Sequence, residues 1–306
     1  MRSPGFSIAL IASQILFGIS LSFSTNEIFA KQDRHTQPYP QRIITLAPHL
    51  SELVDAAGGS DRLVGVSAFS NSPTSVKQLP ITSDARSIDL EKMKSLRPDL
   101  IIYWRGGTSE SQIQSIKKTF NKDVQFISIQ PKKLSDIATD IETIGKALGT
   151  ESVAKKNADA LRSSIAELST KQPMTKQQST HQKNINQRKV RVFYQVWAQP
   201  LMTLNQDHII SDIIQLCGGE QLFANEKVLV PTVSREAVIK ANPEIIFTAV
   251  DNQKMTSDWS MWSSFPQLAA TKNKGFIDLD GDIISRPSPR IMQGAQKICA
   301  EINKVR

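Results

Sequence analysis

This chain carries almost none of the residue groupings that support catalysis. Its four histidines, His35, His49, His181 and His208, form neither a His-x-x-x-His nor a His-Glu-x-x-His pair, so a helical zinc site is excluded. It has no Gly-x-Ser-x-Gly elbow to present a serine nucleophile. Gly106-Gly107 lacks the further glycine and the Lys-Ser/Thr pair of a phosphate-binding loop. Only two cysteines occur, Cys217 and Cys299, too few and too far apart for a zinc site. Acidic residues are missing wherever the excess positive charge collects: Lys171, Lys176, Lys183, Arg188, Lys189 and Arg191 have no carboxylate among them. Aromatic residues are missing there too, so the net charge of +8 does not make a nucleic-acid surface, which needs stacking platforms between its cations. A solvated linker over residues 170–189 fits that composition of Gln, Ser, Thr and Asn. Beyond the first thirty residues no run is apolar enough to span a bilayer.

The N-terminus does hold an apolar run. Arg2 precedes the stretch Phe6 to Phe23, and Ile28-Phe29-Ala30 follows a polar break, which is the pattern of a secretory signal peptide over residues 1–30 cut after Ala30. An uncleaved anchor is the alternative. Export places the two cysteines in an oxidising compartment, where an even pair reads as a disulfide; two separate buried thiols are the alternative.

Within the chain the same order of signals occurs twice, on either side of a long amphipathic helix from Ser152 to Leu168. Its Val153, Ala154, Ala158, Leu161, Ile165 and Leu168 recur at three- and four-residue steps. Before it, Arg42-Ile-Ile-Thr-Leu46 leads to a helix ending at Gly58-Gly59, then Leu90-Glu91 leads to Arg97-Pro98-Asp99 and a strand. After it, Arg191-Val-Phe-Tyr-Gln195 leads to a helix ending at Gly218-Gly219, then Arg235-Glu236 leads to Asn242-Pro243-Glu244 and a strand. Short apolar runs alternating with helices imply parallel βαβ units. The expected fold is therefore α/β: two Rossmann-like lobes with mainly parallel sheets, over residues 41–149 and 190–306, joined by a single backbone helix over 150–169. A cleft between the lobes is the expected binding place.

Parallel sheets bind ligands at the carboxyl ends of their strands. That rule selects His49, Phe69, Trp104 and Arg105 in the first lobe. In the second it selects Trp197 to Met202, the segment after Val250, and Asp282-Ile283-Ile284-Ser285-Arg286.

Seven stretches together carry a resemblance: Arg42-Ile-Ile-Thr-Leu-Ala-Pro-His-Leu-Ser-Glu-Leu53, Val64-Gly-Val-Ser67, Leu90-Glu91 with Arg97-Pro-Asp-Leu100, Trp104-Arg-Gly-Gly107, Leu216-Cys-Gly-Gly219, Val233-Ser-Arg-Glu236 and Ser288-Pro-Arg-Ile291. Their succession resembles the periplasmic cobalamin-binding proteins of vitamin B12 ABC importers, from Arg42 to Ile302. The resemblance implies a monomeric periplasmic binding protein, not an enzyme, with no cofactor and with cobalamin as transported ligand. Its implied partners are an ABC permease and the ATPase of that importer. It implies pairing of Cys217 with Cys299, and docking of Glu91 and Glu236, one per lobe, on the permease. In the pocket it implies Phe69, Trp104, Arg105, Asp282, Ile283, Ile284, Ser285 and Arg286 as ligand-binding residues. Other cleft aromatics of the family fall on Ala85, Met202, Val230 and Ile283, with Trp197 or Phe193 as possible replacements for that flat contact area. His49 is the one candidate for an axial metal ligand. Haem or a ferric siderophore is the alternative cargo for such a fold, and an exported corrinoid-processing enzyme the alternative of another class.

Overall fold

Strand and helix alternate through both halves of the chain. In the computed structural model, which describes residues 39–120, 122, 124–170, 188–250 and 256–306, the first lobe runs β1 (Ile43–Thr45), α1 (Pro48–Ala56), β2 (Leu63–Ser67), β3 (Ile81–Ser83), α2 (Leu90–Ser95), β4 (Leu100–Trp104), α3 (Glu110–Thr119) and β5 (Gln125–Ile129). Two long helices follow, α4 (Leu134–Leu148) and α5 (Glu151–Thr170). The second lobe runs β6 (Val190–Gln195), β7 (Trp197–Ala198), β8 (Leu201–Met202), α6 (Ile209–Leu216), β9 (Gly219–Gln221), α7 (Arg235–Ala241), β10 (Ile245–Val250), α8 (Ser260–Ser263), α9 (Ala269–Lys272), β11 (Phe276–Asp280), α10 (Gly281–Ile284) and α11 (Ile291–Val305). The expected signal segment 1–30 and nearly all of the basic linker lie outside the described residues.

The first sheet has the order β3-β2-β1-β4-β5 and the second β11-β10-β6-β9, with every pairing in both parallel. Laid over one another, β2-β1-β4-β5 and β9-β6-β10-β11 are the same arrangement, so the twofold plan of the sequence is also a twofold plan of sheets. The first lobe adds β3 at one edge. The second adds the β7-β8 hairpin, which stands apart from its sheet.

Local chemistry explains the matching ends of α1 and α6. Pro48 opens α1, where its fixed φ suits a helix and its missing N–H costs nothing. Gly58 and Gly218 follow these helices at φ 84° and 77°, a left-handed turn that glycine makes without steric penalty. The next strand of each lobe can then return alongside the first. Cys217 sits at the end of α6 and is bonded to Cys299 in α11, which fastens these two helices of the second lobe together.

Gly149, at φ 69°, turns α4 back into α5, and the two pack along one another. Buried Ile137, Ile141, Ile144 and Leu148 of α4 meet Ala154, Ala158, Leu161 and Leu168 of α5 in a core that continues into both sheets. Each of these isoleucines and leucines withdrawn from water contributes about 1.5–3 kcal/mol, and each alanine less. The long helix therefore does not stand alone between the lobes. At the other end of α4 the Leu134 N–H donates to Asp212 Oδ2 of α6 at 2.9 Å, a direct bond to the second lobe.

Candidate functional site

A cavity of about 540 Å³ opens between the carboxyl ends of the two sheets, within the size range of small-molecule sites. From the first lobe come Trp104 and Gly106 after β4, and Gln130, Pro131 and Lys132 after β5. From the second come Tyr194 and Val196 of the β6 end, Ala249 near the end of β10, and Ile284, Ser285 and Pro287 after β11. Segments 204–210 and 227–230 complete that wall. The surface is mainly apolar, so a ligand seated there gains by leaving water.

Trp104 is held from two sides. Its ring meets the His49 imidazole edge-on, with centroids 5.3 Å apart and planes at 88°. On another side it lies against Gly106 and Gly107, where a β-carbon at either position would strike the indole. The Trp-Arg-Gly-Gly sequence thus lets the backbone pass close to the ring. His49 itself is only 3% exposed and does not line the cavity. Burial, with the nearby Arg286 charge second, pushes its pKa down to about 3, and Nε2 has no hydrogen-bond partner. The residue considered as an axial metal ligand is packed behind Trp104 instead.

Alternation along β6 separates two aromatic neighbours. Phe193 points into the core on the far face, in edge contact with Phe223 and Trp262. Tyr194 points the other way and reaches the cavity. Phe193 therefore cannot replace a lost cleft aromatic, while Tyr194 supplies one that the strand-end rule passed over. The alternation of buried faces was the available signal. Trp197 lies in the β7-β8 hairpin, 62% exposed, with Nε1 donating to the Gln199 carbonyl at 2.8 Å.

His208 is a second cavity residue missed from sequence. It caps α6, its Nδ1 accepting the Ile210 N–H at 3.2 Å, and burial lowers its pKa to about 4. A histidine before an apolar helical run carried no cap signal comparable to Ser or Asp.

Of the expected ligand-binding set, Trp104, Ile284 and Ser285 line the cavity, and Phe69, Arg105, Asp282, Ile283 and Arg286 do not. Three of these last residues belong to a bond network across the lobes at the side of the cavity. Arg286 donates to the Phe69 carbonyl at 3.0 Å and to Asn71 Oδ1 at 2.6 Å. It also donates to Asp282 Oδ1, while Asn71 Nδ2 donates to Asp282 Oδ2 at 3.0 Å. Next to it, buried Glu52 of α1 accepts from Ser288 Oγ and from Arg290 Nε and Nη2, the last at 2.6 Å. Arg286 is 7% exposed and these bonds occupy its guanidinium. Its charge fastens one lobe to the other and is not presented to the cavity. Phe69 sits at φ 65° and is 80% exposed, its carbonyl turned to Arg286.

Glu91 and Glu236 occupy equivalent positions in the two lobes. Each lies in the first turn of a short helix, α2 capped by Asp89 and α7 capped by Ser234. Both are exposed; Glu91 Oε1 pairs with Lys94 at 2.9 Å. Among the described residues no three His, Cys, Asp or Glu side chains gather as a metal site.

Comparison with known proteins agrees with this architecture. The sequence model of a periplasmic binding protein family matches residues 43–283. The vitamin B12-binding protein of Vibrio cholerae serotype O1 is 32% identical over 288 residues, covering 93% of this chain and 95% of that protein. The crystal structure of the periplasmic vitamin B12-binding protein BtuF of Vibrio cholerae superposes with a TM-score of 0.74 at 30% identity, over 86% of this chain and 97% of that one. The periplasmic heme-binding protein RhuT from Roseiflexus sp. RS-1 superposes with a TM-score of 0.72 at 18% identity, over 87% and 99%, a likeness of fold alone.

Proposed function

The chain belongs to the periplasmic binding protein family, and from that membership we propose that it captures cobalamin between its lobes and delivers it to an ABC permease. The observation that carries this reading is the apolar cavity at the facing strand ends, in a chain whose relatives at about a third identity are vitamin B12-binding proteins. The corrin ring is large and flat. Trp104, braced by His49 and the two glycines, offers a rigid plane on one wall. Tyr194, Leu204, Val230 and Ala249 offer apolar surface on the other. Burial of that surface supplies the affinity, and little ordering cost is incurred because both walls are already set by packing.

Binding, not turnover, is the role. Transfer then requires that the loaded protein be recognised at the membrane, and the two exposed glutamates suit that step. Glu91 and Glu236 present one carboxylate per lobe, so a permease carrying cationic loops would grip both lobes at once. The importer's ATPase would act through that permease. The compartment is the periplasm, reached by way of the N-terminal signal segment. Among the described residues no helix is long and apolar enough to cross a membrane.

The bonds from Arg286, Arg290 and Ser288 to the first lobe support a small change of lobe angle on binding, since a wide opening would expose Glu52 and Arg286 unpaired. Calorimetric titration of the purified protein with cyanocobalamin, beside hemin and a ferric siderophore, tests the ligand. One-to-one binding of cyanocobalamin alone is expected; binding of hemin or siderophore in its place overturns the reading. Glu91→Arg with Glu236→Arg should leave that titration unchanged and abolish uptake in cells; undiminished uptake would remove the docking role.

A further inference from the structure

Two aromatic side chains that can donate, Tyr194 and His208, border the cavity on the second-lobe wall without a partner for the donating atom among the described residues, beside the more flexible Lys227 and Ser285. Tyr194 lines the cavity although it is 2% exposed, and its hydroxyl has no hydrogen bond among the described residues. His208 spends Nδ1 as the acceptor for the Ile210 N–H. A ring nitrogen that accepts carries no proton, so in the neutral imidazole the proton is on Nε2, which has no protein partner either. Val196, Leu204, Ile209 and Val230 give the rest of that wall apolar side chains, and Asn205, Asp207 and Lys227 line it as well; Asn205 Oδ1 is taken by the Asp207 N–H at 2.9 Å.

Resting on the cobalamin reading above, we infer that Tyr194 and His208 are a neutral donor pair that selects ligands presenting uncharged carbonyl oxygens, such as the carboxamide rim of a corrinoid, and that neither coordinates the ligand's metal. Donation follows from the protonation each side chain is held in. Burial pushes the phenol pKa up and the imidazole pKa down to about 4, so both are uncharged near neutrality. Tyrosine coordinates a metal as phenolate, the form that burial disfavours. Histidine coordinates through a bare nitrogen, and freeing Nε2 would move the proton to Nδ1 and break the cap on α6. A ligand with no acceptor at these two places leaves two shielded donors unpaired, and selectivity against it comes from that mismatch.

The test is calorimetric titration with cyanocobalamin of the parent protein, Tyr194→Phe, His208→Asn and the double variant, each with its melting temperature. Phenylalanine keeps the ring, and asparagine keeps an oxygen for the cap. Each single change should weaken binding about tenfold with the melting temperature nearly unchanged, and the double change should weaken it further. If His208→Asn melts early, His208→Ser, another capping residue, is titrated in its place. Parent and variants binding alike would overturn the donor pair while the cobalamin reading stood. A parent that does not bind cyanocobalamin would overturn both. A third arm uses aquocobalamin: its visible spectrum should be the same bound to the parent and to His208→Asn. A band of imidazole-ligated cobalt, lost in that variant, would overturn the donor assignment.

Discussion

The first lobe brings to the cavity one braced indole and a short segment after β5, whereas the second brings three strand ends, the 204–210 segment and the 227–230 segment. The sheets beneath are the same arrangement of four parallel strands, with β3 added at one edge of the first. What differs is what was placed on the loops. A repeated scaffold fixes where strand ends meet, and the loops decide which wall recognises and which wall supports. The second lobe also carries His208 and Tyr194 in the cavity lining, and it alone is cross-linked. The helix that holds His208 at its start ends at the disulfide.

Four sets of substitutions test that contrast. Removing the cross-link with Cys217→Ala and Cys299→Ala should have the largest effect, because it spans 82 residues of the second lobe and constrains the unfolded chain by about 4 kcal/mol in the loop-entropy picture. Denaturant titration should show that loss; a second lobe as stable without the bond would mean that packing of α6 on α11 suffices. Next is Glu52→Ala, which takes the carboxylate from Ser288 and Arg290, leaves Arg290 only its 3.4 Å bond to Asn71 across the lobes, and should cost about 3 kcal/mol by the same measurement. Little change would show that the lobes are held by the apolar core around α4 and α5.

Trp104→Ala removes the indole that faces the second lobe. Cyanocobalamin affinity should fall by about 2 kcal/mol in a titration, roughly thirtyfold, and an unchanged affinity would assign recognition to the second lobe alone. The smallest effect concerns Asp140 on α4. Burial, with Asp136 second, raises its pKa from 3.8 to about 7, and Oδ2 has no partner. The folded protein then holds a proton that the unfolded chain releases near pH 4, so stability falls as pH rises from about 4 through 7. Asp140→Asn should relieve about 1 kcal/mol at pH 8, allowing for partial solvent access, and nothing at pH 4; melting curves at the two pH values decide it.

Much of this architecture could be read from the chain because it rests on local periodicity. The apolar runs of β1, β4, β6 and β10 and the glycine pairs after α1 and α6 are signals within a few residues of what they specify. Trp104 was legible for the same reason: a strand end followed by two glycines. The cross-lobe network was not. Glu52 looks like an ordinary charged residue early in a helix, and its burial is caused by Ser288 and Arg290, more than 230 residues away. Arg286 and Asp282 were selected for their place after β11, but only the position of Asn71 and the Phe69 carbonyl shows that the opposite lobe takes their bonds. Tyr194 was hidden in plain alternation, one residue inside the end of β6.

The network across the lobes consists of two carboxylates, Glu52 and Asp282, and two guanidiniums, Arg286 and Arg290, so its formal charges cancel. Most of it is shielded from solvent, and a balanced, shielded cluster projects little field into solution, where ions screen exposed charges within about 10 Å at ordinary ionic strength. Glu91 and Glu236, by contrast, stand in water. If those two carboxylates dock as proposed, salt would act on that docking and leave the clasp between the lobes almost untouched, so that holding and presenting would answer to different conditions.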